Sequence, residues 1–184
     1  MEEVRDGFVF RCGSPALDFT ATLGGRRKAE PHERLVAPKD LGRWFKAAGI
    51  SPTVPQISEA DLSAARRLRE AIYALAVARA ANDDLPASAR HTLNRFAAAE
   101  PAAPQLDANG ALKLSGDAAQ LLSTIAQEAV RVLSDATPIR QCEGEGCAIL
   151  FMDASRAGDR RWCSMTACGN RAKVAEFRRR KGKQ

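Results

Sequence analysis

The chain has 184 residues, 45% of them hydrophobic, and a formal net charge of +6. That is enough to bury a real core and too apolar for wholesale disorder. No apolar run approaches a membrane span, and no charged start, apolar stretch and small-residue cleavage site opens the sequence. A cytoplasmic protein with no membrane partner is therefore expected, and in that compartment thiols stay reduced.

The first thirty residues read as strand and loop. Phe8-Val9-Phe10 is extended, Gly13-Ser14-Pro15 breaks it, and a short apolar segment with Leu17, Phe19 and Leu23 follows. Gly24-Gly25 and the basic cluster Arg26-Arg27-Lys28 end that segment. Pro38 opens a helix in which Leu41, Trp44, Phe45 and Ala48 recur at helical spacing until Gly49. Residues 51–55 read as a linker.

Ser58, with Asp61 three residues later, caps a long helix through residue 81, with Leu62, Ala65, Leu68, Ile72, Leu75, Ala76 and Arg79 along one face. A further helix spans 86–99, with Leu93 and Phe96 inward, and Pro101 and Pro104 close it. Asp107-Ala108-Asn109-Gly110 reads as the turn of a hairpin, because Asn-Gly tolerates positive φ. A third long helix covers 117–134, and Pro138 marks its end. The expected fold is α+β: a mostly helical N-terminal domain with a few short strands over 1–137, then a small module over 138–184.

That module holds four of the five cysteines, spaced C-x4-C-x15-C-x4-C as Cys142, Cys147, Cys163 and Cys168. Two thiol pairs separated by a hairpin-sized stretch suit one tetrahedral Zn²⁺, and four thiolates leave no position open for water. The expected cofactor is therefore one structural zinc. Reduced thiol pairs or redox thiols are the alternative. Glu143-Gly144-Glu145-Gly146 forms a tight loop between the first two ligands. Ser164 caps a helix that holds Cys168 in its first turns and runs to about residue 179. A knuckle followed by a helix start is a treble-clef layout, with Ile149, Leu150, Phe151, Trp162, Val174 and Phe177 as its apolar cluster.

The charge is uneven. Eleven basic and five acidic residues lie in 138–184, which accounts for the whole net charge, and the remainder balances seventeen of each. Such asymmetry suggests an anionic partner, although a solvated terminus would look the same.

The run Arg160-Arg161-Trp162-Cys163-Ser164-Met165, then Cys168-Gly169-Asn170-Arg171-Ala172-Lys173, resembles the CGNR zinc finger family. The upstream Cys-x4-Cys and Phe151-x-Asp153-x-Ser155 are similar to it too. Leu17-Asp18-Phe19 with Thr22, then Leu35 and Leu41-x-x-Trp44-Phe45-x-x-x-Gly49, resembles the start of the ABATE domain that usually precedes this finger. That domain is described as a candidate stress-induced transcription regulator. One departure is Ala21, where the domain often has Asn. The resemblance implies that Cys142, Cys147, Cys163 and Cys168 bind zinc and that the finger binds DNA.

The candidate nucleic-acid residues are Asn170, Arg171, Lys173, Arg178, Arg179, Arg180 and Lys181. Lys and Arg suit phosphates, and Asn170 and Arg171 suit base edges if the helix enters a major groove. An alternative role for Asn170 and Arg171 is to cap and brace, with Arg171 donating to a thiolate. Trp162 reads as an anchor of the small core rather than a stacking platform, and Cys12 as a small buried hydrophobe. Asp18 and Arg26 are candidates for a small-molecule site in the first domain, with capping or pairing to an Arg the plainer role for Asp18. Nothing in the sequence resembles an enzyme active site. The rival readings are a protein-interaction or homodimerisation finger and a small-molecule sensor.

Overall fold

The computed structural model describes residues 4–52 and 56–181. Residues 53–55 of the expected linker, and the tail residues Gly182 and Lys183, lie outside the described residues.

Strands β1 (Val4–Arg5) and β2 (Phe8–Val9) form an antiparallel hairpin. Its turn is Asp6-Gly7, both at positive φ (48° and 78°), which matches the right-handed twist of the flanking strands. The stretch after Gly13, expected as strand and loop, is instead helix α1 (Pro15–Thr20). Ser14 Oγ accepts from Leu17 N at 3.3 Å, and Pro15 takes the first helical position. Six residues hold fewer than two turns, so their apolar positions show no period.

Strand β3 (Leu23–Gly24) pairs with β4 (His32–Glu33) and projects the basic cluster on the loop between them. Helix α2 (Pro38–Ala47) follows as expected. Helix α3 (Glu59–Ala81) begins with the reciprocal Ser58–Asp61 cap and ends at Asn82, which takes φ +56°. After α4 (Ala87–Ala97) comes the hairpin β5 (Ala103–Leu106) and β6 (Leu112–Ser115), its turn closed by Asp107. The first of these strands reaches back through Pro104. Helix α5 (Ala118–Ser134) is capped by Asp117. The finger contributes β7 (Ile139–Gln141) paired with β8 (Leu150–Met152), a π-type turn (Met165–Gly169) and α6 (Asn170–Lys181).

Helix α3 is central and touches α1, α2, α4, α5, β7 and β8. On one side lies the main core, where Trp44 packs against Phe19, Phe45 and Phe10 with ring centroids at 4.8, 5.7 and 6.2 Å. On another side lies a second core. There Val9, Cys12, Leu17, Ala21, Ala76 and Val132 meet Ile139, Leu150, Phe151 and three of the finger's cysteines.

This arrangement corrects one expectation. Val174 and Phe177, assigned to the finger's own apolar cluster, are 48% and 59% exposed. Leu150 and Phe151 bury themselves against the first domain instead, and α6 contains no buried residue. Cys12 is buried as expected, and its carbonyl accepts from Met152 N at 2.8 Å.

Candidate metal centre

The four Sγ atoms of Cys142, Cys147, Cys163 and Cys168 all lie within 4.8 Å of one another. The Cys147–Cys163 and Cys163–Cys168 sulfur pairs stand at 3.8 and 3.7 Å. A tetrahedron with Zn–S bonds of about 2.3 Å has S···S edges of roughly 3.8 Å, so the donor set fits zinc in number, chemistry and spacing. By themselves Cys142, Cys147 and Cys163 resist carrying charge together. Hydrogen bonds from Cys147 and Cys163 hold the Cys142 thiol far below its usual range. The bond with Cys142 pushes Cys147 up to about 11 and raises Cys163 as well. A divalent cation removes that conflict and lets all four ionise. The site is that of one structural zinc, closed by its four thiolates.

Backbone and arginine groups surround the sulfurs. Gly144 N and Cys163 N donate to Cys142 Sγ at 3.4 and 3.3 Å, and Arg171 donates to Cys168 Sγ at 3.1 Å. The thiolate beside Arg171 in turn raises the pKa of its guanidinium. Gly169 has its own steric reason. A Cβ there would stand 3.0 Å from Met165 Sδ and 3.3 Å from Trp162 Cδ1. Trp162 is thus packed against the turn that holds Cys168, the anchor role expected for it. The π-type turn arises where Gly169 N reaches Ser164 O at 3.0 Å, five residues back, while Ser164 Oγ accepts from Ala167 N.

Sequence reasoning assigned no role to several residues that hold the finger together. The buried Asp153 carboxylate accepts from Ser155 N, Ser155 Oγ, Arg160 N and Arg140 Nε at 2.5–3.1 Å. Burial pushes its pKa up, but these donors outweigh burial and hold it below the usual carboxylate range. Arg160 donates to the carbonyls of Trp162 and Cys163 and lies 4.5 Å from the Phe151 ring centroid. Tyr73 of α3 donates to Ala148 O at 3.3 Å and accepts from Gln141 Nε2 at 2.9 Å. The Phe151-x-Asp153-x-Ser155 motif was the available signal for Asp153. Tyr73 had none, because its partners lie in the distant finger.

Helix α6 leaves the zinc site carrying Arg171, Lys173, Arg178, Arg179, Arg180 and Lys181 against one acid, Glu176. Arg180 pairs with Glu176, and Lys181 Nζ sits 5.0 Å from the Phe177 ring centroid. Asn170 Nδ2 donates to Thr166 O at 3.3 Å. Both Asn170 and Arg171 therefore make bracing contacts. An open groove of about 890 Å³ separates α6 from the acidic loop 143–146 and residues 27–29.

Asp18 and Arg26 are each held by other groups of the protein. Asp18 Oδ1 accepts from Arg11 N and Cys12 N, both at 2.9 Å, and burial raises its pKa. Arg26 makes a bidentate pair with Glu70 at 2.6 and 3.0 Å and stacks 3.8 Å over Tyr73. Both side chains are engaged within the protein. Among the described residues, no helix is long and apolar enough to cross a membrane.

Residues 13–136 match the ABATE family, described as "Putative stress-induced transcription regulator", and residues 139–181 match the CGNR zinc finger. No curated protein matches the chain. The chain belongs to the ABATE family, and it carries a CGNR zinc finger after the ABATE domain.

Proposed function

We propose that the protein is a DNA-binding transcription regulator whose zinc finger presents α6 to the phosphate backbone. The observation that carries this reading is that α6 is anchored at its base by a zinc ligand, buries none of its residues, and bears six cations against one acid. A helix that does nothing for the core and concentrates positive charge is suited to a polyanion. The thiolate and carbonyl contacts of Arg171 and Asn170 favour positioning roles for these two, so Lys173, Arg178 and Arg179 supply affinity more than sequence choice. In this reading the zinc is structural, because four thiolates close the metal to substrate.

The test is duplex DNA binding by the full zinc-loaded chain across a salt series. Contacts to about 4–6 phosphates give a slope of log K against log salt of about −4 to −5. Replacing Lys173 and Arg179 with Ala should reduce its magnitude by about 2. Binding that is flat with salt, or unchanged by the double substitution, overturns the reading.

A second reading rests on the exposed Val174 and Phe177, one turn apart on α6. As a dimer contact they would give a dimer in light scattering that Phe177→Ser dissociates. Monomers at all concentrations exclude it.

A further inference from the structure

We propose that the DNA-binding surface has two walls and that the second belongs to the ABATE domain, where Lys28 faces α6 across the groove and takes a phosphate. This inference rests on the reading that α6 meets DNA, and it adds a contact from the part of the chain whose net charge is zero.

Pairing of β3 with β4 carries residues 25–31 out toward the finger. Two of the three basic residues there act as anchors. Arg26 is held by Glu70 and Tyr73, and Arg27 donates to the carbonyl of the zinc ligand Cys142 at 3.4 Å and to Gln141 Oε1. Lys28 is the one left to point outward. Its stem lies on two glycines that both take positive φ, Gly25 at +65° and Gly146 at +70°. A Cβ at Gly146 would stand 2.8 Å from Lys28 Cγ, so the knuckle loop is shaped to receive this side chain. Its ammonium has no ion pair among the described residues, and the residue is exposed.

The groove in front of it is cationic on both sides. Lys28 and Arg27 line one side, and Arg161, Arg171, Lys173 and Arg179 the other. Three glutamates also line it. Glu143 is neutralised by Arg161 at 2.6 Å and Glu176 by Arg180, which leaves Glu145 as the lining acid with no ion pair among the described residues. The excess positive charge along an open groove fits an extended run of phosphates, so the occupant is the backbone of duplex DNA.

The experiment uses the full zinc-loaded chain, a fluorescent duplex and a salt series. Lys28→Ala should weaken binding equally for unrelated duplex sequences and reduce the salt slope by about 1, with zinc content and melting unchanged. Glu145→Lys should tighten binding and steepen the slope by about 1. This gain keeps the proposal testable if Lys28→Ala folds poorly. Arg90→Ala, exposed on α4 away from the groove, should change neither.

Wild-type slopes in both Lys28→Ala and Glu145→Lys, alongside a reduced slope for the Lys173 and Arg179 double variant, overturn the second wall and leave α6 as the DNA contact. No effect from any of these substitutions overturns the DNA reading itself. Retention of a polyglutamate peptide with no retention of duplex assigns the groove to an acidic protein and overturns both.

Discussion

Gly144 lies so close to Cys168 that a Cβ on the glycine would stand 2.9 Å from the Cys168 sulfur. The same Cβ would also stand 3.4 Å from Cys142 Sγ. The knuckle loop thus passes over two of the four ligands with room for hydrogen and nothing larger. Its glycine is required by the metal cluster beneath it rather than by an unusual φ.

Gly144→Ala should therefore weaken zinc binding by about 10–100-fold, the range seen when the groups around metal ligands are disturbed. Competition with a chromogenic chelator measures it. Gly158→Ala is the matched control, since Gly158 has φ +61° but open space around it. It should cost about 1 kcal/mol of stability through backbone strain and leave zinc affinity unchanged. Equal zinc affinity for Gly144→Ala and the wild type contradicts the steric argument.

Removing the metal should be felt outside the finger. Purified protein should hold one zinc per chain, and Cys163→Ser should release it. Because Cys12 is fully buried in the core shared by finger and ABATE domain, chelation should expose its thiol to alkylation, read by mass spectrometry. Helical circular dichroism should largely survive, since the core around Trp44 does not depend on the finger. A Cys12 that stays protected in the zinc-free protein shows that the second core stands without the metal.

The Glu33–Arg69 pair sets an acid-dependent contribution to stability. Arg69 is nearly buried and grips Glu33 with two bonds of 2.6 and 2.7 Å. Burial pushes the Glu33 pKa up, but the bonds from Arg69 and Leu35 N and the charges of Arg69 and Arg66 hold it below the usual value. Between the folded pKa and the unfolded one, about 4.3, the unfolded chain binds more protons. Stability from this pair is complete above the unfolded value and is lost as pH falls through the folded one. Glu33→Gln should cost about 2 kcal/mol at neutral pH and flatten this part of the acid limb. Urea melts of both proteins with excess zinc, taken over a pH series, measure the difference; parallel curves refute it.

Tyr73→Phe removes a hydroxyl that links α3 to both the Ala148 carbonyl and the Gln141 side chain. It should lower stability by about 1 kcal/mol and leave zinc content unchanged. A loss of zinc would show that the contact orients ligands, not only the domains.

Much of this architecture is readable from the sequence where one local rule governs an element. Ser58 with Asp61 and a 3.6-residue apolar period define α3, and the cysteine spacing defines the metal site. The rule fails for α1, which is too short to show a period. It fails differently for Val174 and Phe177. Apolar residues at helical spacing announce a face, but burial needs a surface opposite, and here Leu150 and Phe151 are committed to the ABATE domain. The docking itself has no sequence signature. Arg27 binds a carbonyl and a glutamine more than a hundred positions away, and Tyr73 binds partners in the finger.

The bond from Met152 N to the Cys12 carbonyl also has a consequence for how the chain is made. Synthesis delivers the N-terminal segment first, yet β2 and α1 bury Val9, Cys12 and Leu17 against Leu150 and Phe151, near the other end. Those early residues wait, apolar and uncovered, until most of the polypeptide has emerged, and contacts of such long range form slowly. Docking of the finger, whose loops the four clustered cysteines draw together, is therefore the step that finally covers them.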